Sequence, residues 1–173
     1  MPGNHNKLII VAALALANQT ETAIDFLCFS HFHIDIDEGS FEMMLACNNV
    51  VGEFKIDRCV MSAQAIKSLQ QGLEQSTSIQ TLYLDLTARA NLDVSKLLQE
   101  TKSIKSLYLH IHSEGTIIGL ESLPLSIKDA TLNGFSNRTI NFTNMFQDLL
   151  SNPNLHSISL EGGFFLWIYC QHC

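Results

Sequence analysis

Residues 79–84 read IQTLYL, and residues 104–109 read IKSLYL. Both are the phrase apolar-x-x-apolar-x-apolar. The same phrase begins at Ile24, Val51, Ile127 and Leu155, so the chain carries it six times, at intervals of 27, 28, 25, 23 and 28 residues. A period of this size with such a core marks an array of stacked units, each too small to bury its own apolar faces. Position 1 of the phrase holds Ile24, Val51, Ile79, Ile104, Ile127 and Leu155. Position 4 holds Leu27, Phe54, Leu82, Leu107, Ala130 and Ile158, and position 6 holds Phe29, Ile56, Leu84, Leu109, Leu132 and Leu160. Strand side chains alternate, so positions 4 and 6 must share the core face and positions 3, 5 and 7 must point out.

Between phrases the apolar period lengthens to that of a helix. Residues 62–75 place Ile66, Leu69 and Leu73 on one face. Residues 91–99 do so with Leu92, Leu97 and Leu98, and Asp93 is placed to start that helix. Phe41, Met44 and Leu45 predict a helix over 40–46; Met145, Phe146, Leu149 and Leu150 predict one over 143–151, stopped by Ser-Asn-Pro-Asn at 151–154. The fifth unit has the shortest interval and is broken by Gly115 and Pro124, so a short helix or 3₁₀ turn is expected there.

Each unit therefore reads strand, loop, helix, loop. The expected fold is α/β: a solenoid of about six units, with a parallel sheet on the concave side and helices on the convex side. The pattern closely resembles leucine-rich repeats of the ribonuclease-inhibitor type over about residues 8–163, and the domain is assigned to residues 1–163. That family often carries Asn, Cys or Thr at position 9. Cys59 and Thr87 fit and His112 is a weaker match, whereas Phe32, Phe135 and Gly163 depart from it.

The register yields an explicit outer face. Position 3 carries Phe26, Glu53, Thr81, Ser106, Asp129 and Ser157. Position 5 carries Cys28, Lys55, Tyr83, Tyr108, Thr131 and Ser159, and position 7 carries Ser30, Asp57, Asp85, His110, Asn133 and Glu161. Glu53, Asp57, Asp85, Asp129 and Glu161 oppose the single base Lys55, so an acidic face is expected. Tyr83 and Tyr108 share a column on neighbouring strands about 4.8 Å apart, with Asp85 and His110 beside them in the next column. Tyrosine flanked by charge is the composition of an interface hot spot. The expected partner-binding residues are Glu53, Lys55, Asp57, Tyr83, Asp85, Tyr108, His110, Asp129 and Asn133. Six strands span roughly 24 Å, which is marginal for a standard interface of about 800 Å² per partner.

Chemical constellations are weak. His31-Phe-His33 and His110-Ile-His112 offer two ligands each where zinc needs three or four. Cys170 and Cys173 stand at the C-terminus without a second ligand pair, and Cys28 near His31 lies in no nucleophile elbow. No Gly-rich phosphate loop and no catalytic set is recognisable, so neither catalysis nor a metal or cofactor is expected. The net charge of -7 disfavours nucleic acid and favours a partner with a basic surface. No apolar run reaches the roughly 18–20 residues of a membrane span. Five cysteines, an odd and scattered set, suit reduced thiols in the cytoplasm.

Both ends of the chain admit more than one reading. Lys7 followed by Leu8 to Ala17 resembles a secretory signal cleaved after Ala17. The helix of a first unit is the preferred reading, because Leu14 falls ten residues before its phrase, as Phe41, Leu69, Val94, Ile117 and Met145 do. Asn18, Asn137 and Asn141 head glycosylation tripeptides, which are common by chance. Residues 164–173 form an apolar tail that leaves the repeat, with Phe164 to Tyr169 uncharged throughout. It reads as a capping strand, as a contact surface, or as the product of truncation of a longer array; the last is preferred. The expected function is a protein–protein interaction module. The alternatives are a recognition fragment of a larger enzyme, a secreted receptor, or a bacterial protein delivered into host cells.

Overall fold

The computed structural model describes residues 25–35, 39–86, 92–110, 117–133, 149–161 and 166–169. The strands among these residues are β1 (Phe26–Ser30), β2 (His33–Ile34), β3 (Glu53–Met61), β4 (Thr81–Leu86), β5 (Leu92–Asp93), β6 (Ser106–His110), β7 (Ile117–Ile118), β8 (Asp129–Asn133), β9 (Ser157–Glu161) and β10 (Leu166–Tyr169). The helices are α1 (Ser40–Cys47), α2 (Ala63–Gln75) and α3 (Val94–Leu98), with a 3₁₀ turn at Leu120–Ser122. The fold is α/β. Its main sheet runs β1-β3-β4-β6-β8-β9-β10, with β2 alongside the end of β3, and β5 and β7 pair separately. All pairings in the main sheet are parallel except β9 with β10.

Register follows the columns read from the sequence. Phe26, Glu53, Thr81, Ser106, Asp129 and Ser157 lie side by side across six strands, and the columns of positions 5 and 7 follow in step. At each step one carbonyl takes two amides of the next strand. Gln80 O accepts from Lys105 N (2.8 Å) and Ser106 N (3.0 Å), and Lys105 O accepts from Lys128 N (2.7 Å) and Asp129 N (3.1 Å). Asp25, Gly52 and Lys128 carbonyls do the same.

The core lies between the sheet and the helices. Of the eighteen phrase positions, Ile24 and the Leu160 side chain lie outside the described residues. Leu27 is half-buried against the core, and the other fifteen are buried. Phe29, Phe41 and Phe54 meet edge to face with centroids 5.9–6.1 Å apart, locking α1 onto β1 and β3. The starts of α2 and α3 are capped by residues of the type such positions favour. The Ser62 hydroxyl accepts from Ala65 N (3.2 Å), and the Asp93 carboxylate accepts from Lys96 N (3.0 Å). Among the described residues between β6 and β8, the helical segment is the 3₁₀ turn, entered through Gly119 at φ 83, a conformation that glycine adopts without strain.

The loops are tied by a column that the apolar pattern does not reveal. The residue before position 1 is Ser78, Ser103 or Ser126 in three successive units. Their hydroxyls donate to the carbonyls of Asn48 (3.1 Å), Ser76 (3.0 Å) and Thr101 (3.3 Å) in the preceding unit. Of the expected helix at 143–151, residues 149–151 are described: 149–150 are helical and 151 is a turn. Leu14, Met145, the glycosylation tripeptides, His112, Cys170 and Cys173 lie outside the described residues. In the tail, β10 pairs antiparallel with β9, Leu166 opposite Leu160 in register and Tyr169 opposite Ser157.

Candidate interaction face

The helices cover one face of the main sheet, and positions 3, 5 and 7 occupy the other. Its centre is the pair Tyr83 and Tyr108, which are register partners on β4 and β6. Their rings stack with centroids 4.3 Å apart and planes 15° from parallel. Such a pair contributes about 0.5–1.5 kcal/mol beyond its buried area. Tyr108 remains 36% exposed while Tyr83 is half-buried. Burial, followed by the neighbouring Tyr108 and the Glu53 carboxylate, pushes the Tyr83 phenol above its ordinary pKa.

Charge surrounds the tyrosines unevenly. Asp57 accepts from the Ser30 hydroxyl (2.7 Å) and pairs with the Lys55 ammonium (3.5 Å). The Ser30 hydrogen bond first, and then the nearby Lys55 and Arg58 cations, hold its carboxyl below the usual range. Asp129 accepts from Ser157 (2.5 Å), and Glu53 is exposed. Asp85 sits between Asp57 and His110 in the position-7 column. It is only 8% exposed, and both Asp85 and His110 are already engaged within the protein. Strand alternation alone places Asp85 and Ser159 in solvent. Both are buried instead.

Lys55, Asp57, Tyr83, Asp85, Tyr108, His110, Thr131 and Asn133 together line a depression of about 390 Å³. Seven of the nine sequence-predicted residues are thus brought together. Glu53 and Asp129 stand apart from it, toward the strand starts. The sequence reading missed Arg58, which also lines the depression. Arg58 falls at the register shift between Asp57 and Cys59, a β-bulge, and has φ 50. A bulge turns a side chain off the alternating pattern, and the apolar phrase gives no sign of it. The face therefore carries two cations where the sequence reading counted one.

Cys28 is exposed, but burial outweighs the nearby Lys55 and raises its thiol pKa. Cys59 is buried, its Sγ donating toward the Phe29 and Asp57 carbonyls at 3.4 Å. His31 has φ 60, so the alternation that would align it with His33 is broken. Among the described residues no group of three or more His, Cys, Asp or Glu is arranged to hold a metal ion, and no helix is long and apolar enough to cross a membrane. Neither a protein-family model nor a curated protein sequence matches this chain.

Proposed function

We propose that the chain is a leucine-rich repeat solenoid of the ribonuclease-inhibitor type that binds a protein partner through the helix-free face, without catalysis of its own. The stacked Tyr83–Tyr108 pair carries this reading. Rigid aromatic rings with polar tips contribute contact area at low entropic cost, and they anchor interfaces when ringed by polar groups. The strand register and the recurring carbonyl and serine hydrogen bonds support the repeat assignment. Glu53 and Asp129 favour a basic region on the partner. Neither nucleic acid nor a membrane is the proposed target, and the thiols of Cys28 and Cys47 suit a reducing, cytoplasmic setting.

The test begins with crosslinking capture from the native lysate and purification of the captured protein. Affinity is then measured for the wild type and for Tyr83→Ala/Tyr108→Ala. A loss of about tenfold or more is expected, since a hot-spot aromatic contributes about 2 kcal/mol or more. Equal affinity with intact circular dichroism would remove this face from consideration.

A further inference from the structure

Arg58 has an unusual combination of properties. It occupies a left-handed backbone conformation, φ 50, at a bulge. For a residue with a Cβ this costs roughly 1 kcal/mol, where glycine would cost nothing. Its side chain is exposed and lines the tyrosine depression. The other charges of that lining are committed. Lys55 pairs with Asp57, Asp57 also takes the Ser30 hydroxyl, and Asp85 and His110 are engaged within the protein. The Arg58 guanidinium forms no hydrogen bond or ion pair among the described residues; its electrostatic neighbour is the adjacent Asp57. A strained, uncommitted cation beside two aromatic rings, in a depression of about 390 Å³, is an observation that points outward to a ligand.

Resting on the proposed protein-binding face, we infer that the partner's contact surface is bipolar, with a planar carboxylate-bearing group over Arg58 and the tyrosine pair and basic groups over Glu53 and Asp129. A guanidinium binds a carboxylate through two parallel N–H donors, a geometry that an ammonium lacks. The flat part of the incoming group lies against Tyr83 and Tyr108. Glu53 begins β3 and Arg58 lies five residues along it, at the bulge, roughly 16 Å away. A partner with one charge sign at both ends meets a like charge at one of them, which sets the direction in which it docks.

The experiment uses two small probes, sodium benzoate and benzamidine hydrochloride, in NMR titrations of the isotope-labelled full chain. Benzoate is expected to shift the Arg58 Nε–H and the ring resonances of Tyr83 and Tyr108. Benzamidine should shift the tyrosines together with Glu53 or Asp129. The deciding variant is Arg58→Gly, because glycine adopts this backbone conformation freely; unchanged circular dichroism is expected to show that its fold is kept. It should weaken benzoate at least fivefold and leave benzamidine unchanged, while Arg58→Lys should retain part of the benzoate response. Equal benzoate binding by Arg58→Gly overturns the bipolar surface and leaves the tyrosine face standing. If neither probe moves the tyrosine resonances, the tyrosine face fails as a binding site and the inference fails with it.

Discussion

The hydroxyl oxygen of Ser68, on α2, lies 3.0 Å from the backbone nitrogen of Phe41, on α1. It also lies 3.2 Å from Gly39 N and 3.3 Å from Glu42 N. Helix α1 begins at a left-handed glycine with no side chain to cap its first amides. The cap is therefore supplied by the next helix in the chain. Ser68 is fully buried, so no water can replace it. Ser68→Ala is expected to destabilise the fold by about 1–2 kcal/mol, the cost of a lost cap plus stranded donors. Urea denaturation measures it, and an unchanged midpoint would show that these contacts contribute nothing.

Gly72 lies one turn beyond Ser68 on the same face of α2. A Cβ there would stand 2.6 Å from the Phe41 carbonyl oxygen and 3.1 Å from the Glu42 Cα. These are backbone atoms and cannot swing aside. Gly72→Ala gains about 1 kcal/mol of helix propensity but is expected to lose more through overpacking, for a net destabilisation of about 1–2 kcal/mol. The added methyl group would lift α1 away from Ser68 as well. The double variant Ser68→Ala/Gly72→Ala should then cost less than the sum of its parts. Strict additivity in the urea midpoints would show that the two residues seat α1 independently.

The contrast between Leu82 and Arg58 shows what the sequence discloses. Leu82 is legible because burial enforces a period: any polar residue at position 4 would strand its polar atoms in the core, so the apolar column survives from Leu27 to Ile158. Tyr83 follows from the same parity, as its neighbour on the other face. Arg58 and Ser68 obey no period. One depends on a bulge and the other on a crossing between two helices, and neither leaves a mark on the apolar spacing. The serine column at 78, 103 and 126 is periodic, yet it escaped a reading tuned to apolar residues, since its function is to close loops rather than fill the core.

The Ser30 hydroxyl is the first cause of the low Asp57 pKa, which makes the pair separable by mutation. Ser30→Ala should raise the Asp57 pKa toward the ordinary carboxylate value, leaving Lys55 and Arg58 to hold the remainder. A depressed folded-state pKa stabilises the protein above the unfolded value, and that stability is lost as pH falls through the folded value. The wild type should therefore lose more stability than Ser30→Ala across that acid window. Carboxyl ¹³C titration by NMR reads the shift directly. An Asp57 pKa that is the same in both proteins would assign the effect to the cations instead.

Tyr83 titrates in the opposite sense. Burial and the neighbouring Tyr108 favour its neutral phenol and raise its pKa. A raised folded-state pKa gives stability that is complete below the ordinary tyrosine value and is lost as pH climbs through the raised one. Alkaline unfolding should be steeper in the wild type than in Tyr83→Phe, which has no proton to lose. Tyr108→Phe removes the neighbouring hydroxyl but keeps the ring stack, so Tyr83 should move only part of the way back and leave the larger share to burial. Titration with ¹³Cζ-labelled tyrosine distinguishes Tyr83 from Tyr108 and Tyr169. If Tyr83 titrates at the value of a free tyrosine, the packed ring pair does not persist in solution, and the anchor of the proposed interface is lost with it.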